Sequence, residues 1–203
     1  MQRDYPGGRR PTDVYFFATC LVDLFCPEAG MDAIQLLERE GIRVHFPADQ
    51  TCCGQPAYTS GYADEARAVA KVQLGLFPND WPVIVPSGSC AGMMRHHYPK
   101  LFAGDAALQA KAEALAERVF ELTEFFVKVL KVNWKGRGNA KKVALHTSCS
   151  ARREMGTHLH ARELLGQLGN VELLNHSHES ECCGFGGTFA VRQPDISASM
   201  AGD

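Results

Sequence analysis

The tripeptide Cys-Cys-Gly occurs twice, at positions 52–54 and 182–184, and each copy has a lone cysteine upstream. Thirty-one residues separate Cys20 from Cys52, and 32 separate Cys149 from Cys182. No other feature of the 203-residue chain constrains its fold as strongly, because self-similarity at a fixed period marks a supersecondary unit used more than once. The flanks repeat as well. Residues 13–18 and 142–146 are short β-branched and aromatic runs that read as buried strands. Apolar residues at helical spacing follow the first run (Met31, Ile34, Leu37) up to Gly41, and residues 42–46 then read as a second strand. The second copy matches it with a helix over 160–168, a stop at Gly169 and a strand over 171–174.

Each copy is therefore a βαβ unit with parallel strands, whose right-handed crossover gathers the C-terminal strand ends along one edge. Cys20 and Cys149 follow the first strand of their units, and the Cys-Cys-Gly triplets follow the second. The first copy continues with a helix over 62–76 and a strand over 81–86 that runs into Ser87-Gly88-Ser89-Cys90, delivering a fourth thiol to the same edge. Residues 106–132 read as one long helix or a helical pair packed across the halves, and residues 133–139 as a glycine-rich, charged linker. The expected architecture is α/β: two pseudo-repeated, Rossmann-like halves with parallel sheets, one over 12–132 and one over 140–203, with cysteines at the C-terminal strand ends.

Apolar residues make up 45 % of the chain and charged residues 22 %, which excludes disorder. With 21 basic against 23 acidic side chains the net charge is −2, so there is no field to draw nucleic acid or an anionic membrane. The apolar stretches at 14–18 and 83–86 fall far short of the roughly 20 residues of a membrane helix, and the N-terminal MQRDYPGGRRP has no apolar signal core. The expectation is an unexported cytoplasmic protein. In that reducing compartment eight cysteines point to metal binding or redox work rather than disulfides.

Cys20, Cys52, Cys53 and Cys90 form one candidate thiolate set, and Cys149, Cys182 and Cys183 begin a second. Zinc and an iron–sulfur cluster are the two candidates for such thiophilic sites. Vicinal cysteines on extended backbone point to opposite faces, so they serve separate irons of a cluster more readily than one small ion, and no paired C-x2-C knuckle is present. Gly54, Gly88, Gly92, Gly184, Gly186 and Gly187 are placed to let backbone pass close to a bulky group. Cys90 reads as lying near the start of a short helix over 91–98, where the dipole favours thiolate. Cys26 fits no motif position and reads as a small buried residue.

The segments FFATCLVDLF, TCCGQPAYTSGY, VPSGSCAGMMR, LHTSCSARRE and ECCGFGGTFAVRQPD resemble the cysteine-rich CCG domain, which also occurs in heterodisulfide reductases and in the iron–sulfur subunit of glycolate oxidase. The resemblance spans nearly the whole chain. It implies that Cys20, Cys52, Cys53 and Cys90 ligate an iron–sulfur cluster and that Cys149, Cys182 and Cys183 belong to a second site. Met93 stands where the fullest family motif has a further cysteine, so a four-cysteine [4Fe-4S] cluster is implied rather than a five-cysteine one. The family's last cysteine lies beyond the 19 residues that follow Gly184. The expectation is a C-terminally truncated chain with a second site that is incomplete, mobile or filled from elsewhere. The implied role is that of an electron-transfer subunit of an L-lactate oxidising complex, passing electrons from partner subunits towards a quinone and held at the inner membrane only through those partners.

No phosphate loop, dinucleotide fingerprint or nucleophile elbow is present, and the glycines at 184–187 read as loop packing. The rival readings are a thiol/disulfide or zinc-binding subunit of the heterodisulfide reductase type, and a scaffold without redox work. His146, His176 and His178 are alternative ligands near the second triplet, against the commoner role of hydrogen-bonded loop histidines. His96 and His97 read as a helix surface. Arg95, Arg152 and Arg153 read as solvated charge, with tuning of a cluster or docking of an acidic partner as the alternative.

Overall fold

The computed structural model describes residue 8 and residues 10–136, 138–186 and 188–202. Most of the N-terminal stretch, Arg137 of the linker, Gly187 and Asp203 lie outside the described residues, and the readings placed on them go no further.

The first strand, β1 (Asp13–Phe16), leads into α1 (Cys20–Phe25) and α2 (Pro27–Arg39). Proline at the first turn suits the start of α2, where an N–H has no intrahelical partner, and the helix buries Gly30, Ala33 and Leu37 before the chain turns at Gly41 with φ +78°. Then come β2 (Arg43–His45), α3 (Gln55–Thr59), α4 (Ala63–Leu74) and β3 (Val83–Val85). Prolines 82 and 86 bracket β3 and donate no hydrogen bond to a ladder, which is why this strand is shorter than the run over 81–86 suggests. Beyond it α5 (Gly88–Gly92) runs through a π-helical turn, Met93–His97, into α6 (Tyr98–Leu101).

The stretch over 106–132 is not wholly helical. Asp105 caps α7 (Ala106–Arg118) by accepting from the Leu108 N–H at 3.0 Å, but the chain then extends as β4 (Val119–Glu121) before α8 (Leu122–Glu124) and a π-helical stretch, Phe125–Leu130. All three residues of β4 are buried. Three residues are too few to display a strand period, and Val119 and Leu122 also satisfy helical spacing, so the tertiary pairing with β3 decides the conformation.

The four strands form one parallel sheet in the order β2-β1-β3-β4, with Val14 opposite Val44, Tyr15 opposite Val83 and Ile84 opposite Phe120. Strands buried on both faces alternate their side chains between two cores. Tyr15, Phe17, Val83, Val85 and Val119 enter one with Cys53, Cys90 and Tyr98, while Val14, Phe16, Ile84 and Phe120 enter the other with Leu37, Phe125 and Phe126.

The second half holds β5 (Lys141–Ala144), a π-helical turn at Ala151–Met155, α9 (Thr157–Gly166), β6 (Val171–Leu174), α10 (Phe189–Arg192) and α11 (Pro194–Gly202). β5 and β6 pair in parallel as a separate two-stranded sheet. The chain is thus α/β, with two parallel βαβ arrangements. Trp134, read as linker, fastens them together: its indole donates to Glu40 at 2.9 Å and packs edge-on against Phe126, and its backbone N–H donates to Gln167.

Candidate metal centre

In the order β2-β1-β3-β4 the chain leaves β1 first to one side and later to the other, so β1 and β3 flank a topological switch point, where open α/β sheets form a crevice. Cys20 begins α1 a short turn after β1, Cys90 lies in the first turn of α5 just after β3, and Cys52 and Cys53 arrive on the loop after β2. The structure brings these four thiols together. Cys52 and Cys20 are half-buried, whereas Cys53 and Cys90 are only 1 % and 5 % exposed.

The thiols interact as a chain. The hydrogen bond from Cys53, reinforced by the N–H of Gly54, pulls Cys52 down to about 5 against the pull of burial. Cys53 also donates to Cys90, lowering it with help from Ser87 and Ser89, and is itself driven up. Burial, and then the charge of Cys52, push Cys20 up to about 11. Within the set Cys52 and Cys90 are thus the hydrogen-bond acceptors, and Cys20 and Cys53 the donors. Backbone N–H groups of Leu21, Cys53, Gly54 and Gln55 are directed at the sulfurs, that of Gly54 at 3.4 Å from Cys52 Sγ. Gly54 adopts φ +85°, and a Cβ there would sit 3.3 Å from the Ala66 carbonyl, so both conformation and space call for glycine.

Two glutamines and a tyrosine hold the loop that carries the vicinal pair, and sequence reasoning missed all three. Gln50 accepts from the Ala18 N–H at 2.8 Å and donates to the Phe16 and Pro47 carbonyls, tying the end of β1 to the loop after β2. Fully buried Gln73 bonds both the hydroxyl and the N–H of Thr51, and Tyr98 donates to the Cys53 carbonyl at 2.9 Å. Long-range partners make these residues, and nothing in their local sequence announces them. Thr19, a buried β-branched residue at φ 70°, makes the turn ahead of Cys20, a conformation that costs of order 1–3 kcal/mol. Beside Cys20 and Cys52 opens a cleft of ≈ 370 Å³ whose walls include Asp23, Leu24, Phe46 and Gln50.

The sequence profile of the cysteine-rich CCG domain matches residues 14–95 and 143–203, covering both cysteine sets. The chain belongs to the CCG family. It is 42 % identical over 188 residues to lactate utilization protein A 2 of Bacillus cereus (strain Q1), an alignment covering 92 % of this chain and 77 % of that protein. It is 44 % identical over 187 residues to lactate utilization protein A of Geobacillus sp. (strain WCH70), covering 92 % and 78 %. Lactate utilization protein A 1 of Bacillus anthracis (strain CDC 684 / NRRL 3495) is 40 % identical over the same extent as the first.

The second CCG triplet is placed differently. Cys182 is exposed, Cys149 and Cys183 are half-buried, and the Cys183 thiol faces the Phe185 carbonyl at 3.9 Å. Among the described residues no three His, Cys, Asp or Glu side chains, in either half, stand as ligands of a single metal ion. The nearby histidines are engaged elsewhere: His146 Nε2 with the Glu181 carbonyl, His176 Nε2 with the Leu145 carbonyl and His178 with the Glu181 carboxylate.

Several other readings change. Cys26 is exposed, because it joins α1, which buries no residue, to α2 at the surface. The helix bearing Cys90 starts at Gly88, ahead of the expected 91. Gly88 and Gly92 make room for the second half: a Cβ on Gly88 would lie 2.5 Å from Ala151 Cβ, and one on Gly92 would run into Glu154 Oε2. Arg95 is no solvated charge. It pairs with Glu124 at 2.6 Å, with side chains 10 % and 8 % exposed, donates to the Val119 carbonyl and lies over the Phe120 ring. Arg152 pairs with Glu179 at 2.7 Å, Arg153 is exposed as expected, and His97 bridges the Tyr58 hydroxyl and the Glu154 carboxylate instead of facing solvent.

Proposed function

We propose that the chain is the iron–sulfur electron-transfer subunit of an L-lactate oxidising complex, with Cys20, Cys52, Cys53 and Cys90 holding one [4Fe-4S] cluster. The observation that carries this reading is the convergence of four thiols at the switch point, ringed by amide N–H donors. Four sulfur donors with directed N–H groups suit a cluster. The lack of a paired C-x2-C knuckle of the kind that structural zinc sites use favours a polynuclear group over one zinc ion. When bound, such a cluster supplies one-electron transfer. The chain's own part is to hold four thiolates in place, to direct N–H groups at their charge and, through Phe17, Tyr98 and Met94, to keep water from the buried side.

Cys149, Cys182 and Cys183 are proposed as ligands of a second site, with thiols more exposed than those of the first. The shared names of the relatives support lactate utilization as the process served, with the substrate and the quinone handled by other subunits. Exposed Leu24 and Phe46 at the cleft beside Cys20 offer an apolar edge for such a partner. Among the described residues no helix is long and apolar enough to cross a membrane, and a cytoplasmic protein held near the inner membrane by its partners accords with this. The divisions at 12–132 and 140–203 are proposed as the two functional units.

A second reading has one observation in its favour: Cys52 accepts hydrogen bonds from both Cys53 and Cys20, and thiols in such contact also suit thiol–disulfide exchange. Anaerobic reconstitution with iron and sulfide separates the two. A broad visible absorbance band with a paramagnetic signal on reduction supports the cluster. Reversible titration of two thiols per chain with no visible band, or stoichiometric zinc, overturns it.

A further inference from the structure

The first cysteine set faces solvent on one side only. Cys53 and Cys90 are sealed in the core, whereas Cys20 and Cys52 line the ≈ 370 Å³ cleft together with Asp23, Leu24 and Phe46. Electrons exchanged with a group held by these thiols therefore pass most directly through that cleft. The helix on its rim has no apolar face to bury: α1 buries no residue, every residue from Asp23 to Ala29 is exposed, and Leu24 and Phe25 are 71 % and 74 % exposed. Phe46, from the opposite stretch of chain, is 50 % exposed. A short helix gains its stability from packing an apolar face, and contiguous exposed apolar side chains rimmed by polar ones mark an interaction surface.

The charge around this patch has one sign. Residues 18–38 include four carboxylates and no Lys or Arg, and residues 44–66 include three and again no Lys or Arg. Asp23 lines the cleft, Asp49 stands between two lining residues, and Glu28 and Asp32 lie on α2, which packs against α1; all four are exposed. None of the four joins an ion pair among the described residues. A second copy of the chain would set this acidic rim against itself, and an anionic membrane would be repelled in the same way. The complementary occupant is basic around an apolar centre.

We propose that this face docks a redox protein whose cofactor edge is apolar and ringed by Lys and Arg, with an apolar side chain entering the cleft between Leu24 and Phe46 and basic groups meeting Asp23, Glu28, Asp32 and Asp49. Such docking rests on the four thiols holding an iron–sulfur cluster, and it gives that cluster its electron-exchange surface. The step is a single electron: the reduced cluster loses it, the oxidised metal centre of the partner gains it, and no bond or proton changes hands.

Ferric cytochrome c, a basic protein with an exposed haem edge, is the probe. Carbodiimide cross-linking of its lysines to the reconstituted full chain, mapped by peptide mass spectrometry, is expected to join Asp23, Glu28, Asp32 or Asp49. Stopped-flow reduction of the probe by the pre-reduced chain slows as chloride is raised, and at low ionic strength it slows at least about tenfold in Asp23→Lys, as for loss of electrostatic steering. Leu24→Ser slows it at least about threefold by removing apolar contact. Glu113→Lys changes the charge equally on α7, which packs against α4 and α6, and stays within about twofold of wild type. Iron and sulfide per chain control for cluster content in each variant. Cross-links scattered over the surface, wild-type rates in both Asp23→Lys and Leu24→Ser, or a dimer of this chain that dissociates in Leu24→Ser would overturn the proposal. A chain that holds no cluster yet cross-links through these carboxylates would instead overturn the cofactor reading and uphold the docking face.

Discussion

The two halves carry nearly the same cysteine spacing and place their thiols in very different surroundings. In the first, β1 is flanked by β2 and β3 within a buried four-stranded sheet, and the strand ends form a crevice into which four thiols converge. In the second, β5 has β6 as its sheet partner, alternate residues of β6 are exposed, and Cys182 stands at the surface. Spacing sets which loop a thiol rides on, but convergence needs the neighbouring strands that turn a sheet edge into a crevice. A two-stranded sheet is marginal by itself and leans on the first half through α9 and the glycine contacts of α5.

The largest effect expected from this contrast is on cofactor retention. Cys90→Ser abolishes the visible absorbance of reconstituted protein, while Cys182→Ser leaves it unchanged within error; equal losses in the two variants would remove the distinction between the halves. Stability separates them next. Phe120→Ala, at a fully buried position of β4, lowers the unfolding free energy by about 3–5 kcal/mol, whereas Leu174→Ala in β6, 37 % exposed, costs under about 1.5 kcal/mol, both read by urea denaturation monitored by circular dichroism.

A smaller effect is a pH dependence that Glu121 gives the first half. Burial raises the Glu121 carboxyl from 4.5 to about 7, against hydrogen bonds from Thr123 and the Glu124 N–H. The folded protein then keeps a proton that the unfolded chain releases. This contribution is full below pH 4.5 and is lost as pH rises through 7, in total about 3 kcal/mol. Glu121→Gln flattens that part of the stability profile, and a profile identical to wild type would contradict the assignment. Smallest of all, Gln50→Ala removes the bonds tying Phe16 and Ala18 to the Cys52 loop, costs about 1–3 kcal/mol and slows cluster assembly at the first site without altering the thiol reactivity of Cys182.

The duplicated Cys-Cys-Gly pattern was enough to place both parallel βαβ units and to bring Cys20, Cys52, Cys53 and Cys90 to one edge, because strand runs and cysteine positions are local in sequence. The residues that support this site were not legible in the same way. Gln50, Gln73 and Tyr98 act through partners 22 to 45 residues away. β4 escaped notice because its three residues show no period, and Arg95 because nothing local distinguishes a charge buried against Glu124 from one in water. Gly88 and Gly92 were legible as places of close approach, but what approaches is the second half's own helix.

Iron and acid-labile sulfide per chain, measured on anaerobically purified protein beside Cys53→Ser, bear most directly on the central claim. Cys53 is the buried thiol that bonds both Cys52 and Cys90. The wild-type chain is expected to carry about four of each at the first site, and the variant to lose about that many. Equal iron and sulfide in the two proteins, or zinc with no sulfide in either, would contradict it.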